Sequence, residues 1–213
     1  MHILKTKIPS MVVNSYIIGL IPDEQTASQA VEYSQYLTQQ IDSYFSLNTK
    51  DFLPHVTLYG LGLEEAKLNQ IDKFLGQITG QISAFELDFL AFELYDSYYM
   101  LNLAKNTIIT NLQSQILDQV SPLRERSYVA PEYLQDMEPE AYDKWEKYGS
   151  VWIGDSYNPH ITLTKFKSST DDTLQQIPKS KMIFSAVKFK SIGLFLSADH
   201  GTAKQLIREY NLL

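Results

Sequence analysis

The chain has 213 residues, a formal net charge of −7, four histidines and no cysteine. The absence of cysteine excludes disulfides, thiol nucleophiles and thiolate metal sites, and an acidic chain without a lysine or arginine block is a poor fit to a long nucleic-acid duplex. The length fits one compact domain or two small lobes, and at 44% hydrophobic and 20% charged residues the composition is ordinary globular with material for a core.

Residues 12–21, rich in β-branched residues, predict a strand. Over 26–45 the apolar positions, with Ser34 among them, fall on one helical stripe. A short strand is expected at 55–59, between Pro54 and Gly60. A helix follows, with Ile71, Phe74, Leu75 and Ile78 on one face. Residues 85–95 and 98–103 read as two strands joined by an Asp96-Ser97 turn, and 107–120 as a helix. Residues 121–156 are rich in proline, tyrosine and acids. They read as an excursion between two halves that stays out of the core, with a short helix at 139–147, where Pro139 suits a first turn. Tyr128, Tyr133, Tyr142, Trp145 and Tyr148 in this stretch form either a lid over a base, a partner surface or ordinary packing. Strand 159–166, helix 171–177, strands 182–189 and 191–196, a hairpin turn at Asp199-His200-Gly201 and strand 204–211 complete the chain. The start of that last strand also fits a helix. No apolar run is long enough to span a bilayer, and the N-terminus lacks the plan of a secretory signal. The expectation is a cytoplasmic protein with no membrane partner. Nothing points to an oligomer, so a monomer is expected.

Residues 54–58 are Pro-His-Val-Thr-Leu, and 159–163 are Pro-His-Ile-Thr-Leu. On a strand, residues i and i+2 share a face. His55 and Thr57 therefore project together, as do His160 and Thr162, while Val56, Leu58, Ile161 and Leu163 project toward a core. The same alternation turns Tyr59, Thr164 and Phe166 to the histidine face and Lys165 away from it. Two imidazoles and two hydroxyls in one cleft suit phosphoryl chemistry. One neutral imidazole takes a proton from the attacking oxygen, and the other, protonated, gives one to the leaving oxygen. The hydroxyls donate to the non-bridging oxygens. A lone strand histidine is usually structural; the doubled phrase is what carries weight. Two histidines without a third ligand make a poor catalytic zinc set, so no metal is expected. There is no serine-hydrolase elbow, phosphate-binding loop or dinucleotide fingerprint, so no cofactor is expected. His2 and His200 are read as bystanders.

With these two His-X-Thr phrases, and with the C-terminal stretch Ile192-Gly193-Leu194-Phe195-Leu196-Ser197 followed by a turn and 204–213, the chain resembles the 2H phosphoesterase superfamily. The resemblance covers the chain except for about 121–156. It implies an α+β fold, bilobal and pseudo-two-fold, with antiparallel concave sheets and helices on their outer faces, here one domain over 1–213 interrupted by the excursion. It implies metal-independent hydrolysis of 2′,3′-cyclic phosphates or 2′,5′-linked nucleotides, with a nucleotide or short RNA end as substrate. RNA ligation by the reverse reaction and non-catalytic nucleotide binding are the alternatives. His55, Thr57, His160 and Thr162 are then the catalytic set, with His160 as base and His55 as acid. Tyr16, Tyr59, Thr164, Phe166 and Lys165 are possible substrate contacts. Bacterial members often carry an arginine or lysine close after a signature; here Tyr59-Gly60 and Thr164-Lys165 stand in those places.

Overall fold

A computed structural model describes residues 13–125, 137–168, 177 and 185–213. In chain order the elements are β1 (Val13–Pro22), α1 (Glu24–Gln40), β2 (Val56–Glu64), α2 (Leu68–Thr79), β3 (Phe85–Tyr95), β4 (Tyr98–Leu103), α3 (Thr107–Val120), α4 (Pro139–Tyr148), β5 (His160–Lys165), β6 (Ala186–Ser197) and β7 (Ala203–Asn211). The strands form one seven-stranded antiparallel sheet in the order β1-β2-β5-β4-β3-β6-β7, with β1 also paired to β6. Strand β6 takes β1 on one edge, and β3 followed by β7 on the other. The sheet thereby curls back on itself. Its two strand groups, β7-β6-β1-β2 and β5-β4-β3, meet at two seams, where β3 pairs β6 and where β2 pairs β5. This is the expected α+β fold, with the helices covering the outer face.

Local chemistry explains the element ends. Asp23 accepts from the Thr26 amide and caps α1, and Asn106 does the same for α3 through Ile109. Asp96 and Ser97, both at positive φ, turn β3 into β4. Gly149, at φ 71°, stops α4 in the left-handed conformation that glycine adopts without penalty. Ile71, Leu75 and Ile78 bury one face of α2, and Ile109, Leu112, Ile116 and Val120 one face of α3.

Four expectations change. Helix α1 stops at Gln40 although its apolar spacing continues to Phe45. The chain becomes extended at Ile41, and the Tyr44 amide donates to the Lys165 carbonyl, so residues 42–45 join the edge of β5. Strand β2 runs through Gly60 and Gly62 to Glu64 instead of stopping at 59. The strands expected at 182–189 and 191–196 are one strand, β6, over the residues described. The excursion is not wholly outside the core: Val151 and Ile153 are buried, and the Gly154 amide donates to Gln113 on α3. The helix expected at 171–177 lies outside the described residues apart from Ile177, as do Tyr128 and Tyr133. The final segment is a strand, not a helix.

Candidate active site

The two phrases lie side by side. Val56 and Ile161 are register partners, buried against the outer helices. One step of antiparallel register in each direction sets His55 opposite Thr162 and Thr57 opposite His160. Both imidazole–hydroxyl pairs therefore occupy the inner face of the sheet, as alternation requires.

Beyond each threonine the alternation breaks. The β1–β2 pairing passes from Gly19–Thr57 to Ile18–Tyr59, skipping Leu58. The β4–β5 pairing passes from Met100–Thr162 to Tyr99–Thr164, skipping Leu163. Each phrase thus ends in a β-bulge at its leucine. A bulge adds one residue and resets which face the following side chains take. Helix side chains meet both bulged carbonyls: Gln113 Nε2 donates to Leu58 O at 3.3 Å, and Ser34 Oγ to Leu163 O at 2.5 Å.

The bulges correct several sequence expectations. Tyr59 faces the core, with its hydroxyl donating to Tyr148 O. Thr164 is fully buried and donates to Phe45 O, and Phe166 packs beside Tyr99 in the core. Lys165, assigned to the outer face by simple alternation, comes to the histidine face, opposite Tyr98. Tyr16 is also a core residue. Gly19 pairs with Thr57 on the inner face, so Tyr16 lies with Ile18 and Leu20 on the other.

The two imidazoles are held alike. His55 Nδ1 is 2.8 Å from Leu53 O, and His160 Nδ1 is 2.7 Å from Asn158 O. A carbonyl only accepts, so each Nδ1 carries the proton and each Nε2 is left for chemistry. Burial pushes the His55 imidazole down to about 4; the Leu53 carbonyl opposes this and the neighbouring His160 adds to it. His55 lies against Phe195, ring centroids 5.8 Å apart, in an apolar group with Ile17, Ala203 and Leu53. His160 is also shifted down by burial, but the Asn158 carbonyl and the charge of Glu93 oppose the shift. Burial thus favours the neutral form of both rings, and more strongly at His55, which has no carboxylate opposing the shift.

Glu93 and Asn102 were missed by sequence reasoning. Asn102 is the register partner of His160, and its side-chain amide donates to Glu93. The Asn102 side-chain oxygen is buried without a partner. The available signal was a single amide in the apolar run Tyr-Tyr-Met-Leu-Asn-Leu. Among the described residues, no three histidine, aspartate or glutamate side chains cluster as metal ligands, and no helix is long and apolar enough to cross a membrane.

Residues 32–195 match the 2′-5′ RNA ligase superfamily. The chain belongs to that family. As a 2H phosphoesterase relative it is close in fold, though distant in sequence, to solved structures. TT0787 of Thermus thermophilus is 14% identical with a TM-score of 0.57, covering 93% of this chain and 97% of that one. LigT of E. coli in apo form is 14% identical with a TM-score of 0.54, covering 94% and 98%. LigT complexed with 3′-AMP is 13% identical with a TM-score of 0.53, covering 94% and 99%. No curated protein sequence matches the chain.

Proposed function

We propose that this 2H phosphoesterase is a metal-independent phosphodiesterase acting on 2′,3′-cyclic phosphate or 2′,5′-linked nucleotide and RNA ends. The observation that carries the reading is the Val56–Ile161 pair, which sets two imidazole–hydroxyl pairs crosswise around one spot. That E. coli LigT has been solved with 3′-AMP supports a nucleotide ligand.

The local electrostatics favour His55 as base and His160 as acid, the reverse of the assignment carried by the family resemblance. His55 is walled by Phe195, with no carboxylate contributing to its shift, and stays neutral. His160 has Glu93 to favour its proton. The anionic phosphodiester strengthens that preference on binding, because a nearby negative charge favours imidazolium. His55 Nε2 takes a proton from water as its oxygen bonds to phosphorus. His160 Nε2–H protonates the departing ribose oxygen as its bond to phosphorus breaks. Thr57 and Thr162 donate to the non-bridging oxygens, where charge accumulates. A cyclic diester plus water yields a monoester, and the proton passes from one histidine to the other.

The test is incubation, in EDTA, with RNA ending in a 2′,3′-cyclic phosphate and with matched 2′-5′ and 3′-5′ oligomers. Cyclic ends should open and 2′-5′ linkages be cut in preference to 3′-5′. Joined products from cyclic-phosphate and 5′-hydroxyl ends would assign ligation instead. Binding without turnover would contradict an enzyme.

A further inference from the structure

The cleft continues beyond the acid–base pairs as a row of aromatic rings. Tyr95 pairs with Tyr98, and Tyr98 pairs with Lys165. The Ser43–Phe166 bridge and the Tyr44 amide bond to Lys165 O place Tyr44 beside Lys165 on the same face. His200, at φ 61° in the β6–β7 turn, lies on Tyr44 with centroids 4.6 Å apart. Trp152 meets the edge of Tyr95 at the other end, at 5.9 Å. Because Met100 pairs with Thr162 and Tyr98 with Lys165, the row is the next inner-face row after Thr162.

Single exposed rings are ordinary on a protein surface. Here Tyr44 (51%), Tyr95 (54%) and Trp152 (48%) are all about half exposed, in one line. The row holds one cation: Lys165 Nζ lies 4.3 Å from the Tyr98 ring centroid and 6.0 Å from that of Tyr44. Ring faces alternating with a cation match single-stranded nucleic acid, whose bases stack and whose phosphates need a positive partner. The net charge of −7 and Glu93 nearby disfavour a long backbone, so the fit is to a short segment.

We propose that Tyr95, Tyr98, Lys165 and Tyr44 hold the nucleotides adjoining the phosphate at the two His–Thr pairs, with bases on the rings and one linking phosphate on Lys165. The substrate is then the end of a single-stranded RNA, not a free cyclic mononucleotide. This rests on the reading under Proposed function and narrows its substrate.

The experiment compares 2′,3′-cyclic AMP with a tetranucleotide RNA ending in 2′,3′-cyclic phosphate, for the unaltered protein, Tyr44→Ala, Tyr44→Phe, Tyr95→Ala and Lys165→Met. The alanine and methionine variants should raise KM for the tetranucleotide roughly tenfold each and change KM for cyclic AMP far less, whereas Tyr44→Phe, which keeps its ring, should behave as the unaltered protein on both. Equal effects on both substrates, or none on the tetranucleotide, would overturn the proposal. Fluorescence anisotropy with a 3′-phosphate RNA tetranucleotide measures the row without turnover. Weaker binding in Tyr44→Ala but not Tyr44→Phe supports the row even if hydrolysis fails, and unchanged binding in both refutes it.

Discussion

Gln113 on α3 donates its side-chain amide to the carbonyl of Leu58, the residue at which β2 bulges. The same side chain accepts from the Gly154 amide. In the other lobe, Ser34 on α1 holds the Leu163 carbonyl and accepts from the Leu47 amide. Both are buried polar groups with donor and acceptor engaged, so removing either strands backbone groups away from water. Gln113→Leu and Ser34→Ala should each cost about 1–3 kcal/mol. Urea denaturation checks this, and phosphodiesterase activity should fall as the adjoining His–Thr pair loosens. Unchanged stability in both would mean the bulges hold themselves.

His55 links stability to pH. Its folded value of about 4 lies below the ordinary 6.5 of an unfolded imidazole. Between those values the unfolded chain binds the extra proton, so stability rises with pH. The contribution is complete above pH 6.5 and is lost as pH falls toward 4. The loss is about 3 kcal/mol. His55→Asn should flatten that part of the stability curve, read from denaturation midpoints across the range. A variant curve parallel to that of the unaltered protein would show that His55 is not the group.

Gly193 sets the wall against His55. A Cβ there would lie 2.4 Å from the Phe195 ring, so Gly193→Ala must displace it. With the ring moved, water reaches the imidazole. The His55 titration, followed by NMR, should rise from about 4 toward 6.5. No change in that titration would separate Phe195 from the low proton affinity of His55.

Glu93 distinguishes the acid from the base. Its charge favours a proton on His160, and Glu93→Gln removes it. If His160 is the acid, the high-pH limb of the rate profile moves to lower pH and activity at pH 8 drops. A move of the low-pH limb instead would make His160 the base.

Helices α2, α3 and α4, the body of α1, the hairpin at Asp96-Ser97 and the two His-Thr faces were legible in the sequence because apolar period and turn chemistry act locally. The family was legible in the doubled phrase. What strict alternation missed were the bulges at Leu58 and Leu163. Their carbonyls are met by helix side chains distant in sequence, Gln113 and Ser34, and the bulges put Tyr59, Thr164 and Phe166 in the core while Lys165 reaches the cleft. Tyr16 was hard to place for a related reason: both faces of β1 are apolar, since Ile17 packs beside Phe195 while Ile18 enters the main core. Glu93 became visible only through the β3–β4–β5 pairings.

A double-mutant cycle on His55 and His160 tests the shared phosphate most directly. Hydrolysis of cyclic-phosphate RNA in EDTA is measured for His55→Asn, His160→Asn and the double variant. Each single change should cost about 10²–10⁴-fold, and the double variant should be scarcely worse than either, because groups acting on one transition state fail together. Losses that multiply, or a single variant that retains full activity, would contradict two histidines working on one phosphorus.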